Sequence, residues 1–254
     1  MALLEVKNLT LRFGGLIAVN DVSFSVEDKS ITGLIGQNGA GKTTIFNLLT
    51  HVYQPNEGTV ILDGEVMKGK KPHQAVARGL TRTFQNIRLF RNMPVIDNVK
   101  VGFVYQGQYS VPSGVFRLPP YWREEKEMQE KAMELLQVFD LDRYASHYAG
   151  NLPYGQQRQL EICRALATNP RVLLLDEPAA GMNPSETESL MERIDKVRER
   201  FAIAILLIEH DMKLVMGICD KVVVLNYGCV IAEGCPEKIR SDEEVINAYL
   251  GCEV

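Results

Sequence analysis

The sequence predicts an α/β fold, and three observations carry that expectation. Two short runs, residues 172–175 and 202–208, are apolar on both faces, as central strands of a parallel sheet are. A helical pattern over residues 186–200 separates them, which makes a strand–helix–strand unit. A further strand, residues 30–35, enters a Gly-rich turn. A second helical pattern follows over residues 42–53, with apolar positions at Ile45, Leu48, Leu49 and Val52.

The remaining elements follow in order. Leu4 and Val6 alternate with Leu3, Glu5 and Lys7, and Asn20-Asp21 precedes the alternating residues 22–26; both read as strands. Pro55-Asn56-Glu57-Gly58 reads as a turn before a strand over residues 59–62. Residues 103–122 interleave Phe103, Tyr105, Tyr109, Phe116, Tyr121 and Trp122 with Gly, Pro and Ser. Such a segment is either a surface loop pinned by its own aromatics or a docking surface. Residues 122–140 are amphipathic: Met128, Ala132, Leu135, Leu136 and Phe139 share a face, with Glu124, Glu125, Lys126 and Glu130 toward water. The chain ends as a hairpin around Asn226-Tyr227-Gly228 and a helix over residues 236–250.

Composition narrows the class. The 254 residues are 46% hydrophobic and 24% charged, with a net charge of −4. These values exclude a disordered chain and give no global basic face for nucleic acid. Five cysteines without a C-x-x-C spacing, and four scattered histidines, do not form a zinc pattern. The bland alternative is buried thiols in a reducing cytosol. No apolar run approaches the length of a membrane span, and Glu5 and Lys7 interrupt any signal-peptide core. The expected place is the cytosol, with membrane contact through partners.

Gly36-Gln37-Asn38-Gly39-Ala40-Gly41-Lys42-Thr43 satisfies G-x-x-x-x-G-K-[ST]. Glycines let the backbone curl so that successive N–H groups face a nucleotide's phosphates. Lys42 adds positive charge, Thr43 offers a hydroxyl to Mg²⁺, and the helix that starts there aims its positive end at the anion. Asp176 and Glu177 end the apolar strand over residues 172–175. At the carboxyl end of a parallel strand they face the ligand crevice, where Asp176 would hold Mg²⁺ and Glu177 would poise water. Taken alone, such an acidic pair is often a helix N-cap.

With these motifs placed, the chain resembles the ATP-binding subunit of ABC transporters from about Leu4 onward. The resemblance implies a P-loop NTPase (RecA-like) core with an antiparallel β subdomain and an inserted α-helical subdomain. The core would comprise residues 1–85 and 169–254, and the helical subdomain residues 86–168. Further stations fall in order. Phe13 stands where an aromatic stacks on adenine, although a lone Phe is otherwise a core residue. Gln85 stands at the glutamine loop, as a Mg²⁺ ligand and nucleotide sensor. Pro153, Tyr154, Gly155 and Gln156 stand at the signature, which acts in trans on a partner's ATP. Asn183 stands at the loop after the acidic pair, and His210 at the switch histidine. Thr44 closes the phosphate-binding set with Gly36, Asn38, Gly39, Ala40, Gly41, Lys42 and Thr43.

Residues 82–85, 176–184 and 209–216 resemble one ATPase of the branched-chain amino-acid importers. That resemblance implies ATP and Mg²⁺ as cofactors. It also implies a second ATPase subunit, two transmembrane permeases, an extracytoplasmic receptor and a place on the cytoplasmic membrane face, with no nucleic acid. A heterodimer is favoured; a homodimer is open for the chain alone. Urea or amide importers and lipopolysaccharide exporters use similar subunits. ABC ATPases of DNA repair and translation usually carry coiled-coil insertions or paired ATPase domains, which this chain lacks. A noncatalytic binding module disagrees with intact Lys42, Asp176, Glu177 and His210. The signature departs from Leu-Ser-Gly-Gly-Gln: Pro153 replaces the serine and Tyr154 the first glycine, removing a hydroxyl and an N–H. Proline also fits the first turn of a helix.

Overall fold

The computed structural model describes residues 2–67, 71–104 and 115–250, with residues 249 and 250 as backbone only. Tyr105 and Tyr109 lie outside the described residues. The chain divides into two compact units: residues up to Gln85 together with those from Arg171 onward, and Asn86–Pro170.

The first unit holds two sheets. β1 (Ala2–Phe13), β2 (Leu16–Glu27), β4 (Glu57–Leu62) and β5 (Glu65–Val66) make an antiparallel sheet in the order β2-β1-β4-β5. β3 (Ile31–Gly36), β6 (Leu80–Arg82), β7 (Val172–Asp176), β8 (Ala204–Ile208), β9 (Lys221–Asn226) and β10 (Cys229–Gly234) make the second, in the order β10-β9-β3-β8-β7-β6. Only β10 runs antiparallel there. β3, β7 and β8 are buried along their whole length, which is why the segments of β7 and β8 read as continuous apolar runs. One apolar cluster takes Leu4 and Val6 from β1, Val22 from β2, Ile45 and Leu49 from α1 (Lys42–Leu49), and Leu34, Leu174 and Leu206 from the parallel sheet. It fastens the antiparallel sheet and α1 onto β3, β7 and β8.

The boundaries correct several expectations. α1 stops at Leu49, short of residue 53. The Thr50 hydroxyl donates to the Phe46 carbonyl at 2.7 Å, His51 turns left-handed at φ 56°, and Val52 is exposed. Asn20-Asp21 does not begin a strand: β2 runs through it with an irregular register, the Asp21 N–H donating to the Thr10 hydroxyl at 3.0 Å. β4 starts two residues early, inside the expected turn, and Glu57 pairs with Thr10. The C-terminal helix is two: α8 (Pro236–Arg240) and α9 (Glu243–Leu250). Asp242 restarts the chain by accepting the N–H groups of Glu244 and Val245 at 3.0 and 3.3 Å.

The second unit is helical, built on α3 (Val95–Phe103), α4 (Pro119–Val138) and α5 (Tyr154–Leu166), where α2 (Pro72–Ala77) belongs to the first. α4 starts at Pro119 rather than residue 122, because two prolines suit a first helical turn. Ala132, Leu135, Leu136 and Phe139 are buried as expected. Glu125 is not simply solvated: it pairs with Lys100 at 2.7 Å. Trp122 lies on α4 and is exposed, its ring edge against Tyr121 at 5.3 Å.

Candidate nucleotide-binding and hydrolysis site

Four neighbouring parallel strands end on one side of the sheet. β3 opens into residues 36–43, β8 into Glu209-His210, β7 into Asp176-Glu177, and β6 into Thr83-Phe84-Gln85. Ligands bind beyond the carboxyl ends of such strands.

The loop at 36–43 is closed by the Ala40 N–H donating to the Gln37 carbonyl at 3.1 Å. Gly41 holds φ 104°, and a Cβ there would lie 2.8 Å from the Ala18 carbonyl oxygen. A Cβ at Gly36 would lie 2.5 Å from the Leu225 carbonyl oxygen. Both positions therefore require glycine. The Gly228 N–H, at the tip of the β9–β10 hairpin, donates to the Ala40 carbonyl at 3.0 Å. Asn38 and Gly39 are exposed at the rim, Ala40 is buried, and Thr43 is exposed at the start of α1 beside half-buried Thr44. Gly41 caps α1 without a side-chain hydrogen bond, so the first-turn N–H groups face the loop's concavity. The Lys42 Nζ lies within it, donating to the Gly36 and Gln37 carbonyls at 2.6 and 3.0 Å. Burial pulls its ammonium below the usual lysine range, and the charges of Glu177 and Asp176 oppose that pull.

Glu177 follows β7 with a left-handed φ of 48°. Its Oε2 accepts from Gln85 Nε2 at 2.7 Å, and its Oε1 lies 3.5 Å from His210 Nδ1. Its N–H donates to the Ile208 carbonyl at 3.0 Å. The acidic pair does not cap a helix. The next helix, α6 (Pro184–Phe201), is capped by Asn183, which accepts the Glu186 N–H at 3.0 Å in a reciprocal capping box. Asp176 is buried, and its Oδ2 accepts from Arg82 Nη2 at 2.6 Å. Arg82 Nη1 donates to Asn47 of α1 at 2.7 Å, and the guanidinium lies over the Phe46 and Phe84 rings.

Phe13 is 47% exposed at the tip of β1, which excludes the core reading. The Tyr53 ring meets it edge-on with centroids 5.3 Å apart. The structure thus brings Gly36, Lys42, Gln85, Asp176, Glu177 and His210 into the first unit. Pro153, Tyr154, Gly155 and Gln156 lie in the second. Pro153 is the cap of α5, with φ −53° and ψ 153°, and not a first-turn residue. The extended ψ puts it one step before the helix. Arg82, Tyr53 and Glu209 are the neighbours that motif spacing missed. An arginine closing an otherwise uncharged strand was the available signal for the first.

The family model described as "ABC transporter" matches residues 19–180. The chain belongs to the ABC transporter family. A second model, described as "Branched-chain amino acid ATP-binding cassette transporter", matches residues 229–251. The chain is 49% identical over 249 residues, covering 98% of both chains, to the high-affinity branched-chain amino acid transport ATP-binding protein BraF of Pseudomonas aeruginosa. It is 47% identical over the same length and coverage to the corresponding LivG protein of Escherichia coli. Among solved structures, a nucleotide-free ATP-binding cassette of an ABC transporter superposes with a TM-score of 0.85 at 31% identity, covering 98% of this chain and 99% of that one. An ADP-conformation cassette superposes at 0.86 with 32% identity, covering 99% of both. As an ABC ATPase the chain binds ATP and couples its hydrolysis to transport. No helix among the described residues is long and apolar enough to cross a membrane.

Replacing Arg82 by Met leaves the buried Asp176 carboxylate of this ABC ATPase without its counter-charge. Denaturant unfolding of Arg82→Met should show a loss of about 3–5 kcal/mol. A loss below about 1 kcal/mol would mean that the pair is not what holds this carboxylate in place.

Proposed function

We propose that the chain powers import of branched-chain amino acids as one of two ATPase subunits bound to a pair of membrane permeases at the cytoplasmic membrane face. An extracytoplasmic receptor would deliver the solute. The observation that carries the chemistry is Glu177, whose carboxylate sits between Gln85 and His210 beyond the strands that bear the phosphate loop and Asp176. The substrate class is supported by the near full-length likeness to BraF and LivG and by the match over residues 229–251.

In this reading the N–H groups of residues 39–44 and the Lys42 ammonium hold the β- and γ-phosphates, and Phe13 stacks on adenine. The Thr43 hydroxyl, Asp176 Oδ1 and the Gln85 amide oxygen are hard oxygen donors that suit Mg²⁺. Among the described residues no three His, Cys, Asp or Glu side chains converge on a metal. Held there, Mg²⁺ would supply positive charge against the phosphates. Glu177 orients and deprotonates the attacking water, and His210 holds γ-phosphate charge. Gln85, the last residue before the helical unit, reports nucleotide to that unit, Asn86–Pro170. The helical unit in turn receives the permease.

The signature acts on the partner's nucleotide, and here it is weakened. Pro153 offers neither hydroxyl nor N–H, although the N-terminus of α5 remains to attract the phosphate. Paired with an ATPase that has an intact signature, the chain makes two unequal sites. The one on Lys42 and Glu177 turns over; the one completed by Pro153 binds and turns over slowly.

Lys42→Ala should lose measurable ATP binding by calorimetry while keeping its fold. Undiminished affinity would contradict the phosphate-loop role. Glu177→Gln should abolish hydrolysis yet gain ATP-dependent association seen by light scattering. Wild-type turnover in that variant would remove Glu177 from the mechanism. Replacing the catalytic glutamate in one subunit at a time of the assembled transporter should cost far more activity when it is Glu177. Equal losses would exclude unequal sites.

A further inference from the structure

Glu209 stands between the end of β8 and His210, and none of the roles above uses it. Its side chain is 2% exposed. Burial pushes its carboxyl above the usual carboxylate range. The Ala179 and His210 N–H groups and the His210 ring pull the other way, while Glu177 adds to the rise. Burying a carboxylate is costly unless specific partners hold it. One oxygen reaches across to the turn after β7, and the other turns back onto the next residue of its own turn. Oε1 accepts the Ala179 N–H at 2.9 Å, and Oε2 accepts the His210 N–H at 3.3 Å. Ala179 sits in the turn that carries Glu177, closed by the Ala180 N–H donating to the Glu177 carbonyl at 3.1 Å. Glu177 itself holds a left-handed backbone, a conformation that persists where its surroundings enforce it.

We propose that Glu209 is a positioning residue for ATP hydrolysis: its buried carboxylate ties the turn bearing Glu177 to the turn bearing His210 and sets the spacing of those two groups. The inference rests on the roles given above to Glu177 and His210. A carboxylate suits the task because both of its oxygens accept. Glutamine would keep one acceptor and turn an NH₂ toward the other N–H, so it would keep one of the two contacts only. Alanine would hold neither. Aspartate, one methylene shorter, would not span both. The hydrogen bonds of Glu209 go to Ala179 and His210 and not to the phosphate loop, so nucleotide affinity should change far less than turnover.

The test compares Glu209→Ala, Glu209→Gln and Glu177→Gln, each assembled with its partner subunits for turnover and taken alone for ATP affinity. Glu209→Ala should lower kcat by about ten- to a hundred-fold, because small displacements of reacting groups have effects of that size. Glu209→Gln should fall between it and wild type, and ATP affinity should change far less than kcat in both. Amide exchange at Ala179 and His210 should speed up in Glu209→Ala. Wild-type kcat in Glu209→Ala, beside an inactive Glu177→Gln, would overturn the proposal. So would unchanged amide exchange at Ala179 in Glu209→Ala. Full activity of Glu177→Gln would instead overturn the proposed function. If Glu209→Ala does not fold, Glu209→Gln carries the same test: wild-type kcat and unchanged exchange at Ala179 would overturn the proposal.

Discussion

The phosphate loop exists because two backbone carbonyls leave no room beside it. The Ala18 oxygen closes on Gly41 and the Leu225 oxygen on Gly36, while the Gly228 N–H holds the Ala40 carbonyl. One of these neighbours comes from β2 and the others from β9 and the β9–β10 turn. The antiparallel sheet is therefore part of the nucleotide site and not an appendage to it. The apolar cluster that packs β1, β2 and α1 on the parallel sheet is what keeps Ala18 pressed against the loop. With the loop so confined, Lys42 is buried inside it and the first turn of α1 is left uncapped by side chains.

A polar seam runs from this loop along the strand ends. Lys42 is buried, and the charges of Glu177 and Asp176 oppose the desolvation of its ammonium. Asp176 is balanced by Arg82, which also reaches α1 through Asn47. Glu177 is bounded by Gln85 and His210, and Glu209 lies beneath the last two turns. Each buried charge has a partner on a different strand or loop.

Much of this was legible in the sequence, and the reasons are physical. β7 and β8 announced themselves because strands buried on both faces admit only apolar residues. The loop at 36–43 was legible because backbone curl plus one cation leaves few residue choices. What stayed hidden depends on contacts between distant segments. The end of α1 was set by a hydroxyl of Thr50 and the left-handed His51, against a pattern that ran on to Val52. The break between α8 and α9 came from Asp242, an ordinary capping residue inside an apolar period. Arg82 and Glu209 look like solvated charges until the sheet order places them under Asp176 and Ala179. Pro153 was visible as a departure, but its place as the cap of α5 needed the backbone angles.

The central claim is that residues 36–43 form a ready-made cradle for phosphate, with the neighbouring strand ends arranged around it. Amide hydrogen exchange of the isolated chain with and without ADP tests this most directly. The account predicts new protection at Gly39, Ala40, Gly41, Lys42 and Thr43, with β3, β7 and β8 already protected and unchanged. Protection that spread through β7 and β8 and left the loop untouched would contradict it.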